Sequence, residues 1–144
     1  MAALVPLLAS CRMVDSGERG FHDVTASERR DTLKASERLG DGILKAFREG
    51  DFTALRQNLP GELKDQMTEK DFSVSCRNYR EKFGEIRDFR LLTDLATPAF
   101  CNLIWVVTFV KPGSNGADIR RQLLFRLVTI QVDGRTNVVS CGFL

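Results

Sequence analysis

The stretch from residue 99 to residue 144 constrains the fold most, because it reads as sheet almost throughout. Residues 99–111 run A-F-C-N-L-I-W-V-V-T-F-V-K, dense in the β-branched and aromatic side chains that suit a pleated surface. Both parities are apolar. Cys101, Leu103, Trp105, Val107 and Phe109 share one face, and Phe100, Ile104, Val106 and Val110 the other, diluted by Asn102 and Thr108. Such a strand is central, or its outer face meets a partner. The turn residues P-G-S-N-G at 112–116 end it. A second strand follows over 119–132, with Arg120, Arg121, Gln122 and Arg126 set among apolar residues. Asp133-Gly134 is a strong hairpin signal, since a type I′ turn needs positive φ at both central positions. A two-residue loop sets Val132 opposite Arg135 and, counting back, Arg126 opposite Cys141. Leu124, Arg126, Val128 and Ile130 then share a face with Val139, Cys141 and Phe143. The loop between the first two strands is longer and leaves their register open. A slip of one residue moves Trp105 to the other face relative to Arg126.

The chain before this sheet reads as helix. Thr25 and Glu28 have capping-box spacing, and Leu33, Leu39, Ile43, Leu44 and Phe47 form an apolar stripe reaching about residue 49. Gly40 and Gly42 interrupt good helix formers at about 1 kcal/mol each, which points to close packing or a kink. Gly50 suits a helix end, and Asp51 caps a short second helix with Phe52, Leu55 and Leu59 on one side. Pro60-Gly61 interrupts it before residues 62–67 resume a turn or two. Thr68 and Asp71 cap a third helix, on which Phe72, Cys76, Tyr79 and Phe83 form a clean stripe ended by Gly84. Residues 85–95 read as the first strand, and Thr97-Pro98 as a turn. Three helices grouped before about four antiparallel strands predict an α+β fold with the helices on one face of a curved sheet.

At 144 residues, 43% hydrophobic, this is one domain with material for a real core. A net charge of +2, with basic and acidic residues interleaved, does not argue for nucleic acid, and none is expected as a partner. A single His, His22, limits imidazole chemistry, and no apolar run reaches the roughly 18 residues of a membrane span.

Residues 1–10, M-A-A-L-V-P-L-L-A-S, are apolar and uncharged and lead into Cys11. Leu8-Ala9-Ser10-Cys11 resembles a bacterial lipobox, in which two small residues precede the cysteine that takes the lipid. No basic stretch precedes the apolar one, so 1–11 reads as a truncated lipoprotein signal. Residues 12–24 have no helical or strand period and read as a flexible tether. The folded domain is then 25–144. If Cys11 is unmodified, the alternative is a cytoplasmic protein with an ordinary N-terminus.

The order of elements, Gly50-Asp51-Phe52 with Leu55, the segment 59–64, the stretch Y-R-E-K-F-G-E-I-R-D-F-R-L at 79–91 and the long C-terminal strands together carry a family likeness. The chain resembles the cystatin-like, nuclear-transport-factor-like α+β cone superfamily, and more narrowly bacterial domains of unknown function borne on lipoproteins. The resemblance implies a cone-shaped fold, a dimer through the open sheet face and, in some members, an apolar pocket between helices and sheet. It implies no single activity. Enzymes of the superfamily set His, Asp or Tyr inside the cone, whereas here no His lies in the folded region and Tyr79 is the only Tyr.

Asp88 and Asp94 lie on the first strand. Burial against Trp105 or Phe125 would raise a carboxyl pKa and make it a base, whereas a solvated strand face beside Arg87 and Arg90 would not. Arg126 holds a carboxylate at a pocket floor if its face meets the helices, and is an ordinary surface residue if it does not. Cys76, Cys101 and Cys141 match no zinc spacing and lack a neighbouring His, so they read as buried thiols, one pair of which could bridge in an oxidising periplasm. Gln131-Val132-Asp133-Gly134 is one residue out of step with the protease-binding loop of true cystatins. No catalytic signature, cofactor motif or metal site is found. The expectation is a non-enzymatic binding or protein-interaction module on the bacterial cell envelope, touching the membrane only through a lipid on Cys11, with a second copy or an envelope protein as partner. The alternative is a small-molecule pocket, or a minor enzyme, taking an apolar or carboxylated ligand in a cone cavity lined by Tyr79, Trp105, Phe125 and Arg126.

Overall fold

The computed structural model describes residues 26–59, 61–97 and 100–144. Cys11, the tether, His22 and the Thr25 cap fall outside them. Within them the order is α1 (Ala26–Glu49), α2 (Phe52–Asn58), α3 (Gly61–Gln66), α4 (Glu69–Phe83), β1 (Glu85–Ala96), β2 (Phe100–Pro112), β3 (Asp118–Val132) and β4 (Arg135–Phe143). This is the α+β arrangement the pattern predicts, helices on a curved antiparallel sheet of order β1-β2-β3-β4. Four helices stand among the described residues where the sequence suggested three. The extra one arises because α2 ends at Asn58 and α3 starts afresh at Gly61.

Local chemistry sets the element ends. Asp51 Oδ1 accepts the Ala54 N–H at 2.9 Å, and Thr68 Oγ1 accepts the Asp71 N–H at 3.1 Å, capping α2 and α4. Gly84 closes α4 at φ 98°, and a Cβ there would stand 2.1 Å from the Val110 carbonyl oxygen, so no other residue fits. The last carbonyls of α4 are met from the sheet. Lys111 Nζ donates to the Glu81 carbonyl at 2.6 Å, and an Arg121 Nη donates to that of Lys82 at 3.4 Å. Two cations thus face the negative end of the helix dipole.

The hairpins follow from their turns. Asp133 and Gly134 have φ of 50° and 72°, as a type I′ turn demands. Between β2 and β3, the Gly113 N–H donates to the Ala117 carbonyl at 2.9 Å, and the register runs unbroken from Phe100↔Ile130 to Pro112↔Asp118. This settles the open question of facing: Trp105 lies opposite Phe125, and Arg126 opposite Ile104.

The β3–β4 register departs from the two-residue-turn count. Pairing runs correctly from Val132↔Arg135 to Thr129↔Val138, and then Val128 pairs with Ser140. Val139 is an extra, bulged residue that inverts the parity beyond it. Arg126 therefore faces Gly142, while Cys141 and Phe143 turn inward beside Leu127 and Phe125. Without the bulge, Phe143 would lie on the outer face and the core would lose an aromatic ring.

The core lies between the concave sheet face and the helices. Cys101, Leu103, Trp105, Val107, Phe109, Phe125, Leu127 and Val138 from the strands meet Ile43, Leu44, Ala46, Leu55, Phe72 and Cys76 from the helices. Glycines allow the closest approach. A Cβ on Gly40 would stand 2.2 Å from the Trp105 ring, and one on Gly42 2.5 Å from Asn58 Oδ1. Both positions in α1 are close-packing sites, as the sequence suggested. One polar pair is sealed inside: Ser36 Oγ and Thr129 Oγ1 share a hydrogen bond of 2.7 Å, both residues fully buried.

Candidate functional site

The interior of the cone is built of aromatic rings. Trp105 meets Phe125 edge-on at 6.1 Å, Phe125 meets Phe143 at 5.4 Å, and Phe143 meets Tyr79 at 4.7 Å. Tyr79 also contacts Phe47 at 5.5 Å and Phe83 at 5.7 Å, and stacks over Phe109 at 6.4 Å. Offset and edge-on arrangements at these separations are the favourable ones. They also fill the space. Trp105 has 0% of its surface accessible and Phe125 3%. The indole N–H is satisfied within the protein, donating to Asp41 Oδ1 on α1 at 2.9 Å. The void beside Phe47, Cys76, Tyr79, Ile86 and Phe109 is about 10 Å³, room for a single water at most.

The pocket expected from Tyr79, Trp105, Phe125 and Arg126 is therefore not assembled. The first three residues join one packed aromatic network. Arg126 lies on the opposite face of the sheet, exposed, its Nε and an Nη both donating to Asn102 Oδ1 at 3.1 and 2.7 Å. The cause is the β2–β3 register, which puts the indole and the guanidinium on opposite faces. Asp88 and Asp94 are exposed on β1, without the burial that would have made either a base.

The three described cysteines are free thiols, and burial pushes each pKa up. At Cys76 the nearby Arg80 opposes the desolvation, and at Cys101 the Thr129 hydroxyl does so. A thiol kept protonated is a poor nucleophile. No cluster of three or more His, Cys, Asp or Glu side chains stands among the described residues, and none of their helices is long and apolar enough to cross a membrane.

The outer sheet face has a different character. Along its middle run Ile104 and Val106 of β2 and Val128 of β3, the two valines only 8% accessible although the described helices pack on the other face. Around these stand Phe100 at 46% and Leu124 at 38% accessible, with Leu95 and Val139 also exposed. Arg126 and Asn102 form the polar pair within this field, and Arg90 flanks it opposite Val106. The edges are protected differently. All three bulges of the sheet lie on its outer strands, at Arg87 and Leu92 of β1 and Val139 of β4, while the β2–β3 ladder is regular. Bulged edges resist the addition of a further strand.

No protein-family model matches the chain, and no curated protein does. Its likeness is to solved structures. A SEC-C motif containing protein from Rhodopseudomonas palustris aligns with a TM-score of 0.52 at 16% identity, covering 76% of this chain and 79% of that one. The protein named Rd1NTF2_04 with long sheet aligns at 0.51 and 13% identity, over 76% of this chain and 99% of that one. An NTF-2 like protein of unknown function from Shewanella oneidensis aligns at 0.42 and 14% identity, over 79% and 97%. The likeness to Rd1NTF2_04 gives the fold as the nuclear-transport-factor-like α+β cone, the architecture that the residue pattern resembled. At these identities the likeness concerns fold alone.

Proposed function

We propose that this chain is a non-enzymatic protein-interaction module that pairs with a second copy of itself through the outer face of its sheet. The observation that carries the reading is the apolar field of Phe100, Ile104, Val106, Leu124 and Val128, on the sheet face away from the described helices. Residues of this kind on the surface of a soluble domain mark an interface. Two further observations support it. The cone interior, where a ligand or catalytic group would sit, is occupied by the protein's own rings. The bulged edges direct association to the face.

A face four strands wide, with strands about 4.8 Å apart and roughly 30 Å of paired length, offers on the order of 600 Å² per copy. The total of about 1,200 Å² lies at the lower limit of specific interfaces. The dimer is accordingly of modest affinity and dissociates on dilution. Residues 1–24 add the address: a lipid on Cys11 after removal of 1–10, with 12–24 as tether, holds the module at the bacterial envelope. There, confinement to a surface raises the effective concentration and favours pairing.

Light scattering across a concentration series tests the interface. The parent protein shifts from monomer to dimer, and Leu124→Glu, at an already exposed position, stays monomeric with unchanged far-UV circular dichroism. A parent protein monomeric at several hundred micromolar, or a Leu124→Glu variant that still dimerises, would overturn the reading. Intact mass of the full chain from a bacterial host tests the tether. A lipid-sized gain with residues 1–10 absent supports it, and an unmodified Cys11 refutes it.

A further inference from the structure

Pairing through the outer sheet face carries an electrostatic condition. The register fixes which charges point outward. At the paired positions these are Glu85, Asp88 and Arg90 of β1, Asp118, Arg120 and Arg126 of β3, and Arg135 of β4. Arg126 is set inside the apolar field. Ile104 opposes it on β2, and Leu124 and Val128 stand on either side along its own strand. Arg90 lies on a border strand, and Arg120 and Arg135 near strand ends, where a guanidinium still reaches water. A second copy seated on the field therefore takes Arg126 out of water, and an unpaired charge buried in an interface is strongly unfavourable.

Within one copy Arg126 has only a neutral acceptor. Its Nε and an Nη both donate to Asn102 Oδ1, and it joins no ion pair among the described residues. Of the outward acids, Glu85 is held by Arg80 at 2.7 Å. Asp118 opposes Pro112 at the hairpin end, and the midpoint between it and Arg126 is Gln122, outside the field. Asp88 is exposed and joins no ion pair among the described residues. It opposes Thr108 as Arg126 opposes Ile104, so the two flank β2 and lie symmetrically about Val106. At strand and residue spacings of about 4.8 and 3.4 Å they stand about 17 Å apart, too far to meet within one copy. Their midpoint, Val106, is among the least accessible residues of the field. A twofold axis between two such faces, passing over Val106 at right angles to the line joining Asp88 and Arg126, sets each Asp88 opposite the other copy's Arg126.

We propose that two symmetric ion pairs, Asp88 of each copy with Arg126 of the other, fix the orientation in which the two faces meet. This rests on the self-pairing put forward above and adds the contacts that give it a register. Asn102 is the positioning residue. By engaging Nε and one Nη it leaves the edge formed by the two terminal amino groups open to both oxygens of a carboxylate.

Light scattering on Asp88→Arg and Arg126→Glu, alone and mixed, tests the pairing. Alone, each variant sets like charges opposite each other twice, and its dimer weakens on the order of a hundredfold. In an equimolar mixture the two substituted positions face each other at one pair and the two native residues at the other. Both pairs are then opposite in charge, and a heterodimer forms where the parent is dimeric. Both positions are exposed, so both variants keep the parent's far-UV circular dichroism. In the neutral cycle, Asp88→Asn with Arg126→Gln weakens the dimer no more than the larger single change does. A mixture that stays monomeric, a reversal variant that dimerises like the parent, or additive losses in the neutral cycle would overturn the ion pairs while a parent dimer disrupted by Leu124→Glu keeps the self-pairing. A monomeric parent overturns both.

Discussion

Replacing Gly40 by alanine tests how the helix layer is seated on the sheet. In an isolated helix the change is favourable by about 1 kcal/mol. Here the added Cβ would lie 2.2 Å from one Trp105 ring carbon and 2.4 Å from the next. Ordinary carbon–carbon contact is about 3.7 Å, so either α1 or the indole must retreat by roughly 1.5 Å. The indole cannot move freely. It is fully buried, packs on Phe125, and is held by its N–H to Asp41 on the same helix turn. A retreat of α1 loosens Ile43 and Leu44, which share its buried face. Overpacking at about 3 kcal/mol and a weakened hydrogen bond at about 1, less the propensity gain of about 1, leave a net loss of about 3 kcal/mol. In a chain of this size that lowers Tm by roughly 6–12 °C. Urea unfolding followed by the single tryptophan measures both consequences, since release of the indole from its site shifts its emission to the red. Gly42→Ala is the control. Its Cβ meets only the end of the Asn58 side chain, which can swing away at the expense of a 2.8 Å bond to the Ala54 carbonyl, so its net effect is near zero. Equal stability of the two variants, or a gain in Gly40→Ala, would refute the argument.

Ser36 and Thr129 form a second test. Ser36→Ala strands a buried hydroxyl and costs about 1–3 kcal/mol, whereas Ser36→Ala with Thr129→Val removes both partners and recovers most of the loss in a double-mutant cycle. The thiols supply a pH dependence. Each described cysteine has its pKa raised above the ordinary 9.0 by burial, so above pH 9 the unfolded chain loses protons that the folded one retains. The stability associated with these thiols is intact below pH 9 and declines as pH rises through their folded values, and a series of urea midpoints from pH 7 to 10 should fall accordingly. In the native protein at pH 8, Cys76, Cys101 and Cys141 should resist iodoacetamide and all react in urea. Rapid labelling of Cys76 or Cys101 without denaturant would contradict the packing described.

Much of the fold was legible because it is written in local chemistry. The type I′ turn needs Asp133-Gly134, the caps need Asp51 and Thr68, and the inward stripe on α4 follows helical spacing. The apolar outer face could be read from the two-sided character of 99–111. The site was less legible for a physical reason. Which side chains meet depends on registers set by loop geometry and by a bulge whose residue, Val139, has no feature that marks it. One inserted residue carried Phe143 and Cys141 into the core and separated them from Arg126. The buried hydroxyl of Thr129 was hidden similarly, since its partner lies on α1, 93 residues away.

The three bulges have a consequence for how far assembly can proceed. Addition at a strand edge creates a new edge as it covers the old one, so the process can repeat without limit and ends in a fibre. Pairing across a face by a twofold axis consumes the surface that drives it and stops at two. With Arg87, Leu92 and Val139 disrupting both borders of the sheet, the pairing proposed above is of the kind that terminates. For a protein crowded at high density along a surface, that is the difference between a population of discrete pairs and a growing polymer.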